Sequence, residues 1–277
     1  MLIILVVLAA FPTLFAQSGG STTPKTPNGV IVLDGRQIAE LSVEATKRNW
    51  VAWNYYTYIE RDENRRLNSR GLVESEDSRL SKITLVNGDH FEQLVKHNGH
   101  PPSAREQEKG REDLDKVKHE TPKERNVRLR KQTENMSLLG EVLDAFDFKL
   151  MGEQMVEDRQ AYVLKVTPHP DYHAKGKYGK LFSKVEGDLW VDKQDFGWIK
   201  MDGQVTQTFS MGLFIARVQR GSQIHVEETR VDDIWVPVRI EVRGSAKILF
   251  LKSLHIDRIL TYSQYDRATD SPYSVSK

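Results

Sequence analysis

The sharpest pattern in this chain runs from Trp235 to Arg243. Val236, Val238, Ile240 and Val242 fall on one side, and Arg239, Glu241 and Arg243 on the other. A period of two is that of a β-strand with one face buried and the other wet. Residues 245–251 and 254–262 continue in the same character and predict two further strands. Upstream, residues 148–155 and 160–167 predict a hairpin across Glu157-Asp158-Arg159, and residues 186–192 and 197–205 another across Lys193-Gln194-Asp195. Strand–turn–strand repeats without intervening helices imply antiparallel pairing.

The pattern turns helical in the first half. Ile38, Leu41 and Ala45 recur at helical spacing and predict a short helix over residues 36–48, with Val43 off the stripe. Trp50, Trp53, Tyr55, Tyr56 and Tyr58 follow, an aromatic density that predicts a strand running to about Arg65. These rings fit either a binding platform or ordinary packing, and half-buried strands favour such residues for packing. Ile83, Leu85 and Val86 precede Asn87-Gly88, and Phe91, Leu94 and Val95 follow it. Asn-Gly between apolar runs is the strongest short-range hairpin signal. Asn98-Gly99 and Pro101-Pro102 close that unit.

Residues 103–135 are dominated by Glu, Lys, Arg and Asp. Ser103 and Thr121-Pro122 are placed to start two polar helices. A third helix over residues 137–145 carries Leu138, Leu139, Val142 and Leu143 and is expected to pack on the sheet. The charged stretch reads as a solvated face or as a docking arm. The pattern as a whole predicts a mainly β fold with covering helices (α+β), built on an antiparallel sheet whose concave face, where it curves without closing, is left for a helix or a ligand to fill. It would occupy one domain over residues 29–268, with a charged helical insert at 103–135 and a polar tail at 269–277.

Composition narrows the partners. The chain has 277 residues, enough to bury a sizeable core, and its 40 basic and 39 acidic side chains leave a net charge of +1. So close a balance argues against nucleic acid, which is bound through clustered positive charge. There is no cysteine. Disulfides, thiol nucleophiles, zinc–thiolate sites and a lipid-anchored N-terminal cysteine are therefore excluded.

Residues 2–16 form an uncharged apolar run broken by Pro12 and ending at the small Ala16. It is shorter than the roughly 20 helical residues that cross a bilayer and reads as a secretory signal peptide over residues 1–16. An uncleaved anchor or a buried N-terminal strand are the alternatives. Residues 17–28, rich in Ser, Thr, Pro and Gly, read as a flexible linker. The expected location is the periplasm.

Candidate chemistry is thin. His97 and His100 sit three apart beside a turn, and His169 and His173 four apart in a Pro-rich loop. Neither pair lies on an expected helix face, and a metal site needs further ligands converging on them. No Gly-x-Ser-x-Gly elbow, P-loop or dinucleotide fingerprint is present. Asp62-Glu63 and Glu227-Glu228 are read as surface carboxylates. Lys175-Gly176-Lys177-Tyr178-Gly179-Lys180 is either a solvated loop or a phosphate or headgroup contact. No catalytic residue, metal or cofactor is expected, and a hydrolase using His169 and His173 is the weakest reading.

Three short runs carry a family resemblance. Gly187-Asp188-Leu189-Trp190-Val191-Asp192, Phe196-Gly197-Trp198-Ile199-Lys200 and Asp232-Asp233-Ile234-Trp235-Val236-Pro237 resemble the C-terminal hairpins of LolA-like periplasmic lipoprotein carriers, a family that includes the RseB/MucB sensor domain. The likeness covers about residues 148–265. It implies a curved, unclosed barrel, a half-barrel whose helices form a lid over an apolar cavity for acyl chains. No family arginine is matched by motif, and the insert at 103–135 departs from a compact carrier.

On that basis the chain is expected to be a non-enzymatic, monomeric binding or carrier protein for a lipid or lipoprotein acyl chain. The alternative is an RseB-like envelope-stress sensor or scaffold that binds another envelope protein. The cavity is expected to be lined by Tyr56, Tyr58, Leu189, Val191, Ile199, Val236, Val238, Ile240, Ile248 and Phe250.

Overall fold

The computed structural model describes residues 33–68, 70–173, 179–211, 216–248 and 252–268, and for 128–138, 211, 216, 247–248 and 252–253 it describes the backbone alone. The expected signal peptide, linker and polar tail lie outside the described residues, as do Phe250 and most of the Lys175–Lys180 loop.

Helix α1 (Gly35–Trp53) opens the described chain. Asp34 accepts from the Gln37 amide at 2.8 Å, and Gln37 Oε1 accepts from the Asp34 amide at 3.0 Å. This reciprocal cap satisfies two of the donors that a helix start leaves free. The helix runs five residues past the expected Arg48 end and takes in Trp50 and Trp53, which were expected on a strand. Val43, expected off the apolar stripe, is buried.

Strands β1 (Tyr56–Leu67), β2 (Val73–Val86) and β3 (Asp89–His97) form a meander. Asn87 and Gly88 have φ of 52° and 81°, the left-handed pair that a two-residue hairpin turn requires. The charged segment folds as α2 (Ala104–Lys118) and α3 (Pro122–Ala145), started by capping boxes at Ser103/Glu106 and Thr121/Glu124. The expected second and third helices are one continuous helix. Neither Pro nor Gly interrupts residues 123–139, so a change from charged to apolar composition carries no stop signal.

The remainder is β. It comprises β4 (Phe146–Val156), β5 (Arg159–Pro168), the single-turn α4 (Gly179–Phe182), β6 (Val185–Asp192), β7 (Trp198–Val205), β8 (Phe209–Met211) and β9 (Ala216–Val218), then β10 (Gln223–Val231), β11 (Ile234–Ile248) and β12 (Lys252–Arg267). The expected strands 245–251 and 254–262 are the end of β11 and the body of β12. β10 was not expected. Its inward positions are Ile224, Val226 and Glu228, and the carboxyl at the third interrupts the apolar alternation that a period-two reading looks for; the register shift beside it leaves Val238 of β11 as the extra residue.

Every pairing is antiparallel, in the order β3-β2-β1-β12-β11-β10-β7-β6-β5-β4. β3 and β4 end the series without meeting, so the curved sheet is an open half-barrel with covering helices. Two main clusters form the core. One gathers Trp53, Tyr58, Val226, Ile240, Leu260 and Tyr262. The other sets Ile38 and Ala39 of α1 on Leu164, Leu189 and Val191.

The motifs behind the family resemblance meet at one corner. The buried Asp192 receives Arg159 through two guanidinium nitrogens and caps its own turn from the amides of Gln194 and Asp195. Trp235 donates its indole N–H to Asp195 at 2.9 Å. A Cβ on Gly197 would sit 2.0 Å from the Trp235 ring, so only glycine fits there. These residues hold the β6–β7 turn against β11, which is a structural role.

Candidate ligand groove

Between α1 and the inner face of the sheet lies a groove of about 220 Å³. Ala39, Val43 and Trp53 of α1 form its roof, Phe146 and Phe148 of β4 one wall, and Leu189, Met201 and Ile224 its floor. Its vacancy has a local cause. Gly187 of β6 and Gly203 of β7 are directly paired across the strands, and both line the groove. Two facing glycines leave a dip where a pair of side chains would fill the space under the helix. A Cβ on Gly187 would lie 2.2 Å from the Asp202 carbonyl, whereas one on Gly203 would lie 3.0 Å from Ile224 Cγ2.

The roof is fixed from both ends. Gly35 lets the start of α1 approach β4, where any Cβ would lie 2.4 Å from the Phe148 carbonyl oxygen. Trp53 at the other end stacks on Tyr58 at 5.6 Å and meets His90 edge-on at 5.1 Å. Burial lowers the His90 pKa, against the opposing pull of the Tyr56 carbonyl and Asp89.

Most polar groups of the lining are hydrogen-bonded within the fold, Ser42 to the Ala39 carbonyl and Thr46 to the Ser42 carbonyl among them, and three buried ones are not. The indole N–H groups of Trp53 and Trp198 are buried without an acceptor, and both rings line the groove. Glu228 also lines it, and its carboxyl has no hydrogen-bond partner among the described residues. Burial pushes that carboxyl up to about 8. Among the described residues no Lys, Arg or His is part of the lining. The reading of Glu227-Glu228 as two surface carboxylates is therefore corrected for Glu228. Glu227 lies 3.0 Å from His225 on the outer face, and the next residue turns inward.

Asp62 needs the same correction. It forms a two-point ion pair with Arg258, at 2.7 and 2.5 Å, and its side chain is only 17% exposed. Nearby, Glu60 is pushed up to about 7 by burial and by Glu92 and Asp62, against the pull of Arg258.

The opposite face of the glycine pair carries a polar hollow of about 340 Å³, lined by Lys165, Asp188, Asp202, His225, Glu241 and Arg243. Its charges are mutually paired. Burial lowers the His225 pKa, but Asp202 and Glu227 outweigh it and the net shift is upward.

The residues expected in the cavity are dispersed. Leu189 lines the groove. Tyr56, Tyr58, Val236 and Ile240 belong to the first core cluster, Val191 to the second, and Ile199 packs with Ala161 and Trp235. Val238 is half-buried, Ile248 is described by its backbone and Phe250 lies outside the described residues. The α1 residues and Glu228 were missed. Ala39, Val43, Thr46, Trp50 and Trp53 recur at helical spacing, a stripe that would have pointed to the roof had the helix been carried through the tryptophans.

The histidine pairs separate. His97 is held between Asp77 at 2.7 Å and Glu106, and His169 lies 2.8 Å from Asp147. Among the described residues no group of three or more His, Asp or Glu is arranged to hold a metal. Among them, too, no helix is long and apolar enough to cross a membrane.

No family model matches the chain, and no curated protein matches it. Several solved structures are similar to it. A DUF1329 family protein from Desulfovibrio piger is 14% identical, with 88% of this chain and 95% of that one covered and a TM-score of 0.37. A LolA superfamily protein from Nitrosomonas europaea is 11% identical, covering 87% and 96%, with a TM-score of 0.28. A chain of the Pseudomonas aeruginosa MucA/MucB complex is 13% identical, covering 80% and 94%, with a TM-score of 0.23. At these values the likeness carries no argument about ligand or partner. The LolA superfamily and MucB, which the hairpin motifs resemble, are thus also among the solved structures similar to this chain.

Proposed function

We propose that this chain is an exported, non-enzymatic binding protein that holds one acyl chain, of a lipid or a lipoprotein, in the groove beneath α1. The observation that carries the reading is the vacancy itself: an apolar space kept open by the Gly187–Gly203 pair and roofed by a helix. At about 220 Å³ it is smaller than the roughly 300–1,000 Å³ of typical small-molecule pockets, which suits a single chain. Export rests on the apolar run at residues 2–16.

Each methylene taken from water into such a groove contributes about 0.8 kcal/mol, or roughly fourfold in affinity. A series of 1-alkanols of six to fourteen carbons, titrated by calorimetry, should gain about that factor per carbon until the groove is full and then level off. Gly203→Val, which places methyl groups in the dip, should abolish the gain while circular dichroism stays unchanged. Absence of binding, or affinity independent of chain length, would rule the proposal out.

A second reading, docking to another envelope protein, is favoured by α2. It buries none of its residues and carries paired charges on its surface. Neutralising α2 should abolish co-purification of such a partner and leave alkanol binding intact.

A further inference from the structure

Among the described residues the groove is lined by four carboxyls, Glu186, Asp188, Asp202 and Glu228, and by no basic side chain, and of the four Glu228 alone has no hydrogen-bond or ion-pair partner. β10 changes register between Glu227 and Glu228, so that Glu228 stands opposite Pro237 while Glu227 stands opposite Arg239. Glu227 takes its place in the outer charge network, and Glu228 lines the groove beside Trp198, Met201 and Ile224.

The groups that face Glu228 can be taken element by element. α1 brings Ser42, Thr46, Asn49 and two indoles to the lining, none of which titrates near neutral pH. On β6 and β7, Glu186, Asp188 and Asp202 touch the lining but are engaged by Gln204, Lys165 and His225 respectively. From β12, Tyr265 interacts electrostatically with Glu228, and its hydroxyl donates to the Pro237 carbonyl at 2.6 Å. Among the described residues no cation lines the groove to neutralise the charge of Glu228 or of a guest.

We infer that Glu228 is the specificity-determining residue of the groove: it admits an apolar chain with an uncharged polar end and turns away one with a carboxylate, sulfate or phosphate end. This rests on the acyl-binding reading. With its proton held by burial, Glu228 presents an O–H donor, and the buried N–H groups of Trp53 and Trp198 are two more. Three donors in an apolar wall suit a carbonyl or hydroxyl oxygen, because buried donors left unpaired are costly. An anionic end would lose its hydration and meet no positive charge. Once Glu228 ionises it would also meet a like charge at close range.

The test uses two guests whose charge does not change with pH, 1-decanol and decyl sulfate, below their micelle concentrations. Binding to the full mature chain is measured at pH 6.5 and pH 9. The wild type should prefer decanol by at least about tenfold at pH 6.5, and by more at pH 9. Glu228→Gln should show the same preference at both pH values, and Glu228→Lys should invert it. A preference that does not widen with pH, a widening that survives in Glu228→Gln, or no inversion in Glu228→Lys would overturn the inference. If decanol binds neither the wild type nor any variant, the acyl-binding reading itself fails. If it binds without discrimination, only the role of Glu228 does.

Discussion

Single residues set how this protein responds to pH. Glu228, pushed up to about 8, and Glu60, pushed up to about 7, keep their protons in the folded state while the unfolded chain gives them up near 4.5. The folded form then binds more protons, so the stability they contribute is fully present below about 4.5 and is lost as pH rises through 7 and 8. Glu228→Gln should therefore raise the melting temperature at pH 8.5 by roughly 2–4 °C or more, the equivalent of about 1 kcal/mol, and flatten the decline seen by calorimetry. Asp192 acts in the opposite sense. Burial raises its pKa, but Arg159 and the turn amides outweigh that and hold it low. Its contribution is present above the ordinary carboxylate range and lost on acidification. Asp192→Asn leaves Arg159 without its charge partner and should cost about 3 kcal/mol in urea unfolding at pH 7.

At the scale of elements, two kinds of glycine contact shape the groove. Gly187 and Gly203 hollow the floor, and Gly35 brings the roof down onto β4. Gly35→Ala would raise helix propensity by up to about 1 kcal/mol in isolation. Here the added methyl must displace the Phe148 carbonyl, and overpacking of that kind costs about 1–3 kcal/mol. A net loss in urea unfolding is expected, and a net gain would show that α1 is free to lift from the sheet. α2 is tied to the β2–β3 hairpin by Glu106 on His97 and by the Asn87 side-chain amide on the Val117 carbonyl, without entering the core. Its capping box and charge pairs satisfy the helix locally, and it contributes no residue to the core. Element types were legible in the sequence wherever period and turn chemistry agreed, as at Asn87-Gly88 and at the Ser103 and Thr121 caps. They were not legible where a carboxyl occupies an inward strand position, as Glu228 does in β10, or where aromatic density resembled a strand, as at Trp50 and Trp53.

For the whole molecule, β12 is the seam. It lies between β1 and β11 and so joins the two ends of the chain in one sheet. Arg258 of β12 and Asp62 of β1 bridge that seam across 196 residues of sequence. Arg258→Ala would strand Asp62 beside Glu60 on a half-buried face. We expect a loss of about 3 kcal/mol in urea unfolding, larger at pH 8 than at pH 5, because protonation of Glu60, whose pKa is pushed up to about 7, relieves the repulsion. An unchanged midpoint at pH 8 would mean that the seam is held by its backbone ladder and apolar contacts alone.

The amino-acid sequence by itself determined that the chain is mainly β, antiparallel and capped by charged helices, because strand period, turn residues and helix caps are local properties. The open sheet was expected through the family resemblance and not from any local period, and tertiary structure alone decided that β12 enters between β1 and β11 and which residues line the groove. Leu189 could be placed toward an interior from its alternation, but no local signal tells a filled interior from a vacant one. The vacancy arises where two glycines from neighbouring strands face each other under a helix that packs from far away in sequence. Glu227 and Glu228 are identical as letters and fall on opposite faces by strand alternation, and only the tertiary structure decides which of those faces meets water and which lines the groove.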